Sequence, residues 1–113
     1  MSEPVLPAAD VDAALAEQHL GWTREGDVLV TSVKLRDFAA ALQFVNSVGA
    51  VAERVNHHPD IDIRWNKVNL ALTTHDSGGI TRFDLALAAE IDHLRPPPAG
   101  GGRSQRPAPG RTG

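Results

Sequence analysis

Residues 37–76 read DFAAALQFVNSVGAVAERVNHHPDIDIRWNKVNLALTTHD, and the period of their apolar positions changes partway along. Phe38, Leu42, Val45, Gly49 and Ala52 recur at spacings of three and four, with Ala41, Val48 and Val55 widening the stripe. That spacing predicts a long amphipathic helix opened by Asp37. Pro59 must stop it, because the residue before a proline is pushed out of helical geometry. His57 then sits at the last turn and His58 just beyond. From Ile61 the period becomes two. Ile61, Ile63 and Trp65 alternate with Asp62 and Arg64, and Val68, Leu70 and Leu72 alternate with Asn69, Ala71 and Thr73. Two half-buried strands follow from this alternation, joined by Asn66-Lys67 as a two-residue turn, since Asn tolerates positive φ. His75-Asp76-Ser77-Gly78-Gly79 leaves the sheet as a loop.

Outward from this stretch the same grammar repeats. Residues 8–19 form a short helical pattern with Val11, Ala14, Leu15 and Gln18 on one stripe, and Gly21 suits the position just past its end. Trp22-Thr23-Arg24, the turn chemistry of Glu25-Gly26-Asp27, and Val28 to Leu35 read as a first hairpin with Leu29, Thr31, Val33 and Leu35 on its buried face. A last helix runs from about Thr81 to Leu94. Thr81 and Asp84 form a capping-box pair there, and Ile80 and Leu85 are placed for a hydrophobic staple. The order α-β-β-α-β-β-α predicts an α+β fold, a four-stranded antiparallel sheet with its helices packed on one face in two layers.

The chain has 113 residues, enough for one domain. A core of this size buries about 60–65% of the unfolded surface, so stability is modest and oligomerisation is a common remedy. The domain is expected to occupy residues 1–95. In residues 96–113, ten of eighteen are Pro or Gly and none is large and apolar, which predicts a disordered tail, with docking through Pro96-Pro97-Pro98 as an alternative use. All 14 acids and eight bases fall in residues 1–95, a net charge of −6, while Arg103, Arg106 and Arg111 make the tail +3. An acidic domain offers no footprint for a phosphate backbone, so direct nucleic-acid binding is disfavoured. No apolar run approaches the roughly 20 residues of a membrane span, and Met1 to Asp10 lacks the layout of a secretory signal, so a cytoplasmic location is expected. With no cysteine there is no disulfide, thiolate nucleophile or zinc–thiolate site.

Three of five histidines, His57, His58 and His75, lie at element boundaries, where side chains can converge on a cleft. Histidine is the side chain best suited to exchange protons near neutral pH. Glu53, four residues before His57, could fix the tautomer of an imidazole. Taken alone, adjacent histidines after a helix are more often a solvated pair favoured by the helix dipole. Glu53 could equally pair with Arg54 or Lys67, Asp84 could simply cap its helix, and Trp65 could belong to a core or interface. His19 and His93 read as surface residues. His57, His58, His75 and Asp76 are acceptable metal ligands, but no helical His spacing arranges a chelate, so no metal is expected.

The set Glu53, Asn56-His57-His58-Pro59, Trp65-Asn66-Lys67-Val68, Thr73-Thr74-His75-Asp76 and Asp84, with Gly21-Trp22 upstream and Leu87-Ala88 downstream, resembles the signature of the pterin-4a-carbinolamine dehydratases over residues 8–95. The resemblance implies removal of water from a 4a-hydroxytetrahydropterin to give a quinonoid dihydropterin, in support of tetrahydrobiopterin recycling beside an aromatic amino-acid hydroxylase. It implies no cofactor, the pterin being the substrate, and a homodimer or homotetramer. By the same resemblance His57 and His75 are the acid–base pair, His58 holds the ring and Glu53 orients an imidazole. Asn56 and the segment Thr73, Thr74, His75, Asp76 and Ser77 line the pocket, Trp22 is a candidate flat wall, and Asp84 is a further candidate. The family includes a member that stabilises a transcription factor's dimer, so a non-catalytic partner-stabilising module is the alternative.

Overall fold

Asp37 begins the long helix by accepting a hydrogen bond from the Ala40 amide at 2.8 Å, which satisfies one of the orphan donors of the first turn. That helix is the fourth of seven elements in the computed structural model, which describes residues 3–96. In chain order they are α1 (Ala8–Glu17), β1 (Thr23–Glu25), β2 (Val28–Lys34), α2 (Phe38–Val55), β3 (Asp60–Arg64), β4 (Lys67–Leu72) and α3 (Arg82–Asp92). The strands form one antiparallel sheet in the order β1-β2-β4-β3, and the α+β order expected from the sequence is the order observed.

The register puts apolar residues opposite one another. Leu29 faces Leu72, Thr31 faces Leu70 and Val33 faces Val68 across the central strands. Because side chains alternate along a strand, this one register directs the whole set to the helices. Leu29, Val33, Val68, Leu70 and Leu72 are buried, and they pack with Val11 of α1, Ala41, Phe44, Val48 and Val51 of α2, and Leu87, Ala88 and Ile91 of α3. Each fully buried aliphatic side chain contributes about 1.5–3 kcal/mol. The opposite face of the sheet, with Ser32, Asn69 and Asp62, stays open.

Several local expectations are corrected. The buried stripe of α2 runs through Ala41, Phe44, Val48 and Val51, whereas Phe38, Leu42 and Val55 are exposed. An alanine-rich helix carries two overlapping apolar stripes, and only Ala41, Val48 and Ala52 of the expected set are buried. α2 stops at Val55, not at His57. Asn56 adopts the left-handed conformation (φ 55°, ψ 46°), its amide donates to the Glu53 carbonyl and the His57 amide donates to that of Ala52, the paired bonds of a Schellman closure. The tight turn of the second hairpin is Trp65-Asn66, one residue earlier than expected, and Trp65 rather than Asn66 takes positive φ (55°). Asn66 is committed elsewhere, since its amide donates to the Leu35 carbonyl at 2.9 Å and its carbonyl accepts from the Leu35 amide at 2.7 Å. α1 closes through His19 (φ 53°) rather than through Gly21. Beyond Pro96 the expected tail lies outside the described residues. Among the described residues no helix is long and apolar enough to cross a membrane.

Candidate functional site

The Schellman closure at Asn56 turns the chain so that His57 leaves the helix axis and meets the start of α3. There Thr81 is the N-cap, and Asp84 completes the capping box by accepting from the Thr81 amide at 2.9 Å through Oδ2. The same oxygen accepts from the Thr74 hydroxyl at 2.7 Å, and Oδ1 lies 2.5 Å from Nε2 of His57. Thr74 spends its one proton on Asp84, so the Thr81 hydroxyl donates to Thr74 Oγ1 across 2.8 Å. Thr81 and Asp84 are fully buried, and His57 is 16% exposed. A carboxylate can only accept, so the His57 ring carries its proton on Nε2 and keeps Nδ1 as the exchangeable nitrogen.

His58 is treated differently. Its Nε2 lies 2.6 Å from Oε2 of Glu53, with both side chains well exposed (54% and 78%). Glu53 therefore orients an imidazole, that of His58 and not the one four residues on. His75 stands exposed in a tight loop closed by the Thr74 amide donating to the Gly79 carbonyl at 3.0 Å, with Gly78 at φ 80°.

Three hollows border His57, and two of them also take in Thr74 and Asp76. One of about 240 Å³ is lined by Asn56, all three of His57, His58 and His75, and the segment Thr73 to Asp76. The other, about 570 Å³, shares Asn56, His57, Thr74 and Asp76 and extends to Phe83, Ser77 and Glu3. A larger hollow of about 590 Å³ lies on the open sheet face among Thr23, Ser32, Asp62 and Asn69 and touches no histidine. Proton-exchanging groups, not size, pick out the candidate site.

Of the residues singled out in the sequence, Asn56, His57, His58, Thr73, Thr74, His75 and Asp76 line one hollow, with Glu53 behind His58 and Asp84 behind His57. Trp22 does not join them. It is 5% exposed within the core, and its indole N–H donates to Asp92 at 2.9 Å, where Gly21 and Arg95 also bind Asp92. A ring held there offers no free flat wall, so its expected role is corrected. Thr81 and Glu3 were not read as site residues. The capping-box pattern already marked Thr81, but nothing local to Glu3 tied it to a loop more than seventy residues away.

Comparison with known proteins places the chain in a family. Residues 4–94 match the model of the family described as pterin 4 alpha carbinolamine dehydratase. A protein of Chloroflexus aurantiacus, named as a candidate pterin-4-alpha-carbinolamine dehydratase, is 50% identical over 91 residues, covering 80% of this chain and 97% of its own. A relative of the same name from Mycobacterium bovis is 52% identical over 90 residues, covering 80% and 95%. Among solved structures, a transcriptional coactivator/pterin dehydratase from Brucella melitensis superposes with a TM-score of 0.75 at 27% identity, over 81% of this chain and 99% of that one. A pterin dehydratase-like protein identified as a RuBisCO assembly factor in the α-carboxysome gives 0.57 at 25% identity, over 68% and 92%. With an element order, a histidine-lined hollow and a match spanning nearly every described residue in agreement, the chain belongs to the pterin 4 alpha carbinolamine dehydratase family.

Proposed function

We propose that this protein dehydrates a 4a-hydroxytetrahydropterin, 4a-hydroxytetrahydrobiopterin being the natural candidate, and so acts as a hydro-lyase in pterin recycling. The single observation that carries the reading is the convergence of His57, His58 and His75 on one hollow. Loss of water needs a proton delivered to the 4a hydroxyl and another removed from N5. His57 and His75 serve as that pair. His57 exchanges through Nδ1 while Asp84 keeps its Nε2 proton in place. His58, held by Glu53, supports the ring. Asn56, Thr73, Thr74 and Asp76 line the remaining wall. Acid–base help of this kind contributes on the order of 10²–10⁴-fold.

Stopped-flow measurement on freshly generated 4a-hydroxytetrahydropterin, with spontaneous decay subtracted, tests this. The expected result is a rate proportional to enzyme, reduced about 10²–10⁴-fold in His75→Ala. A wild-type trace superimposable on the uncatalysed decay would overturn it. Because His75 is exposed, the variant should melt within about 0.5 kcal/mol of wild type.

A second reading, a partner-stabilising module, is favoured by a different surface. Phe38, Leu42 and Trp65 are exposed (44%, 41% and 67%), and the Phe38 and Trp65 rings stack 6.4 Å apart. A second copy of the chain is the first partner we assign to this patch, as a homodimer or homotetramer. Leu42→Asp with Trp65→Asp should lower the sedimenting mass to one chain. An unchanged mass removes that assignment.

A further inference from the structure

The larger hollow at His57 has a wall contributed by the N-terminal segment that precedes α1. Glu3 lines it together with Asn56, His57 and Phe83, with its side chain only 22% exposed. The segment is pinned at four points. The Ser77 hydroxyl donates to the Glu3 carbonyl at 2.5 Å, Arg82 Nε donates to Glu3 Oε2 at 2.6 Å, and the Leu6 amide donates to the Ile80 carbonyl at 2.8 Å. Val5 packs so closely on Gly79 that a Cβ there would sit 2.9 Å from Val5 Cγ1. A carboxylate is thus fixed in the lining of the same hollow as the His57 imidazole.

Its chemistry has a defined complement. A carboxylate offers about four acceptor sites, and Arg82 uses one on Oε2, leaving Oε1 and the second lone pair of Oε2. Two parallel donors on a planar edge are what such a group binds best. The pyrimidine edge of a pterin presents that pair, the exocyclic 2-amino group beside N3–H. Asp84 cannot serve, since it is buried and already accepts from His57, Thr74 and the Thr81 amide. We infer that Glu3 is the specificity anchor of the site, gripping the 2-amino/N3–H edge of the pterin so that its 4a and N5 atoms face His57 and His75. The inference rests on the pterin reading given above and adds to it the residue that selects a 2-amino heterocycle.

Equilibrium binding of two stable ligands separates the two claims. 7,8-Dihydropterin carries the amino group, and 7,8-dihydrolumazine carries an oxo group in its place, whose oxygen would face the carboxylate. Wild type should prefer the dihydropterin by about tenfold or more, and Glu3→Gln should weaken dihydropterin binding about tenfold while leaving dihydrolumazine nearly unchanged. Arg82→Ala, which removes the ion pair but keeps the carboxylate, should keep the preference. Equal weakening of both ligands in Glu3→Gln marks a merely structural strap and overturns the inference. So does a preference that survives Glu3→Gln, although the pterin reading then stands. Wild type that binds neither ligand overturns both.

Discussion

Two His–carboxylate pairs sit side by side at this site with nearly equal lengths, 2.5 Å for His57–Asp84 and 2.6 Å for His58–Glu53, and almost nothing else in common. Asp84 is fully buried, with two other donors on its second oxygen. The Glu53 side chain is 78% exposed, and its carboxylate holds only His58 among the hydrogen bonds described. The first pair forms in a low-dielectric interior, where removing one partner strands the others. The second forms against water, where the two groups exchange one set of hydrogen bonds for another. Equal geometry therefore conceals unequal worth, and burial sets the difference.

The comparison breaks most visibly at Asp84. Asp84→Ala strands His57 Nε2, the Thr74 hydroxyl and the Thr81 amide together, and should cost about 3–5 kcal/mol. For a domain of this size that is a fall of well over 10 °C in a thermal melt, with dehydratase activity lost in parallel. Asp84→Asn keeps one acceptor and should recover part of the stability. The next effect down lies between the pairs. Asn56 holds φ 55°, which a β-branched residue resists, so Asn56→Val should cost about 1–2 kcal/mol and Asn56→Gly almost nothing. If Asn56→Gly alone abolishes activity, the side chain touches substrate rather than only turning the chain. Glu53→Gln should change stability by less than about 1 kcal/mol, and any effect on rate should shrink at high salt. A loss comparable to that of Asp84→Ala would erase the distinction drawn here.

The smallest effect belongs to the open sheet face. The Asn69 amide, and then the Arg64 guanidinium, hold the Asp62 carboxyl below the usual carboxylate range. The folded state thus binds the Asp62 proton more weakly than the unfolded chain does. Its contribution is complete above the ordinary pKa of about 4 and fades as pH falls through the lower folded value. Asp62→Asn should lower the neutral plateau of the stability–pH curve slightly, leave its most acid end unmoved, and so flatten the limb between them.

The element order was legible because the apolar period switches cleanly from three-and-four to two at Pro59, and Asp37, Thr81 and Asp84 are capping chemistry at the positions where helices begin. The histidine set was legible because boundary residues converge. What stayed hidden depended on single dihedral angles or on distant packing. The i, i+4 rule ties Glu53 to His57 only if the helix continues, and one left-handed residue, Asn56, hands Glu53 to His58 instead. Asp84 read as a cap and is one, but capping uses Oδ2 and leaves Oδ1 for His57, a double duty that no spacing announces. Trp22 looked like a surface for a ring until Asp92, seventy residues away, took its indole N–H. The choice between the two apolar stripes of α2 needed the sheet beneath it.

The capping box at Thr81 carries one last consequence. Since the carboxylate that closes the first turn of α3 also sets the tautomer of His57, fraying of that turn and release of the oriented imidazole are one event. Amide exchange at Thr81 and its neighbours therefore gauges the fraction of molecules in which the His57 ring is held in place. A ligand that engages His57 should slow that exchange before it changes any other part of the helix.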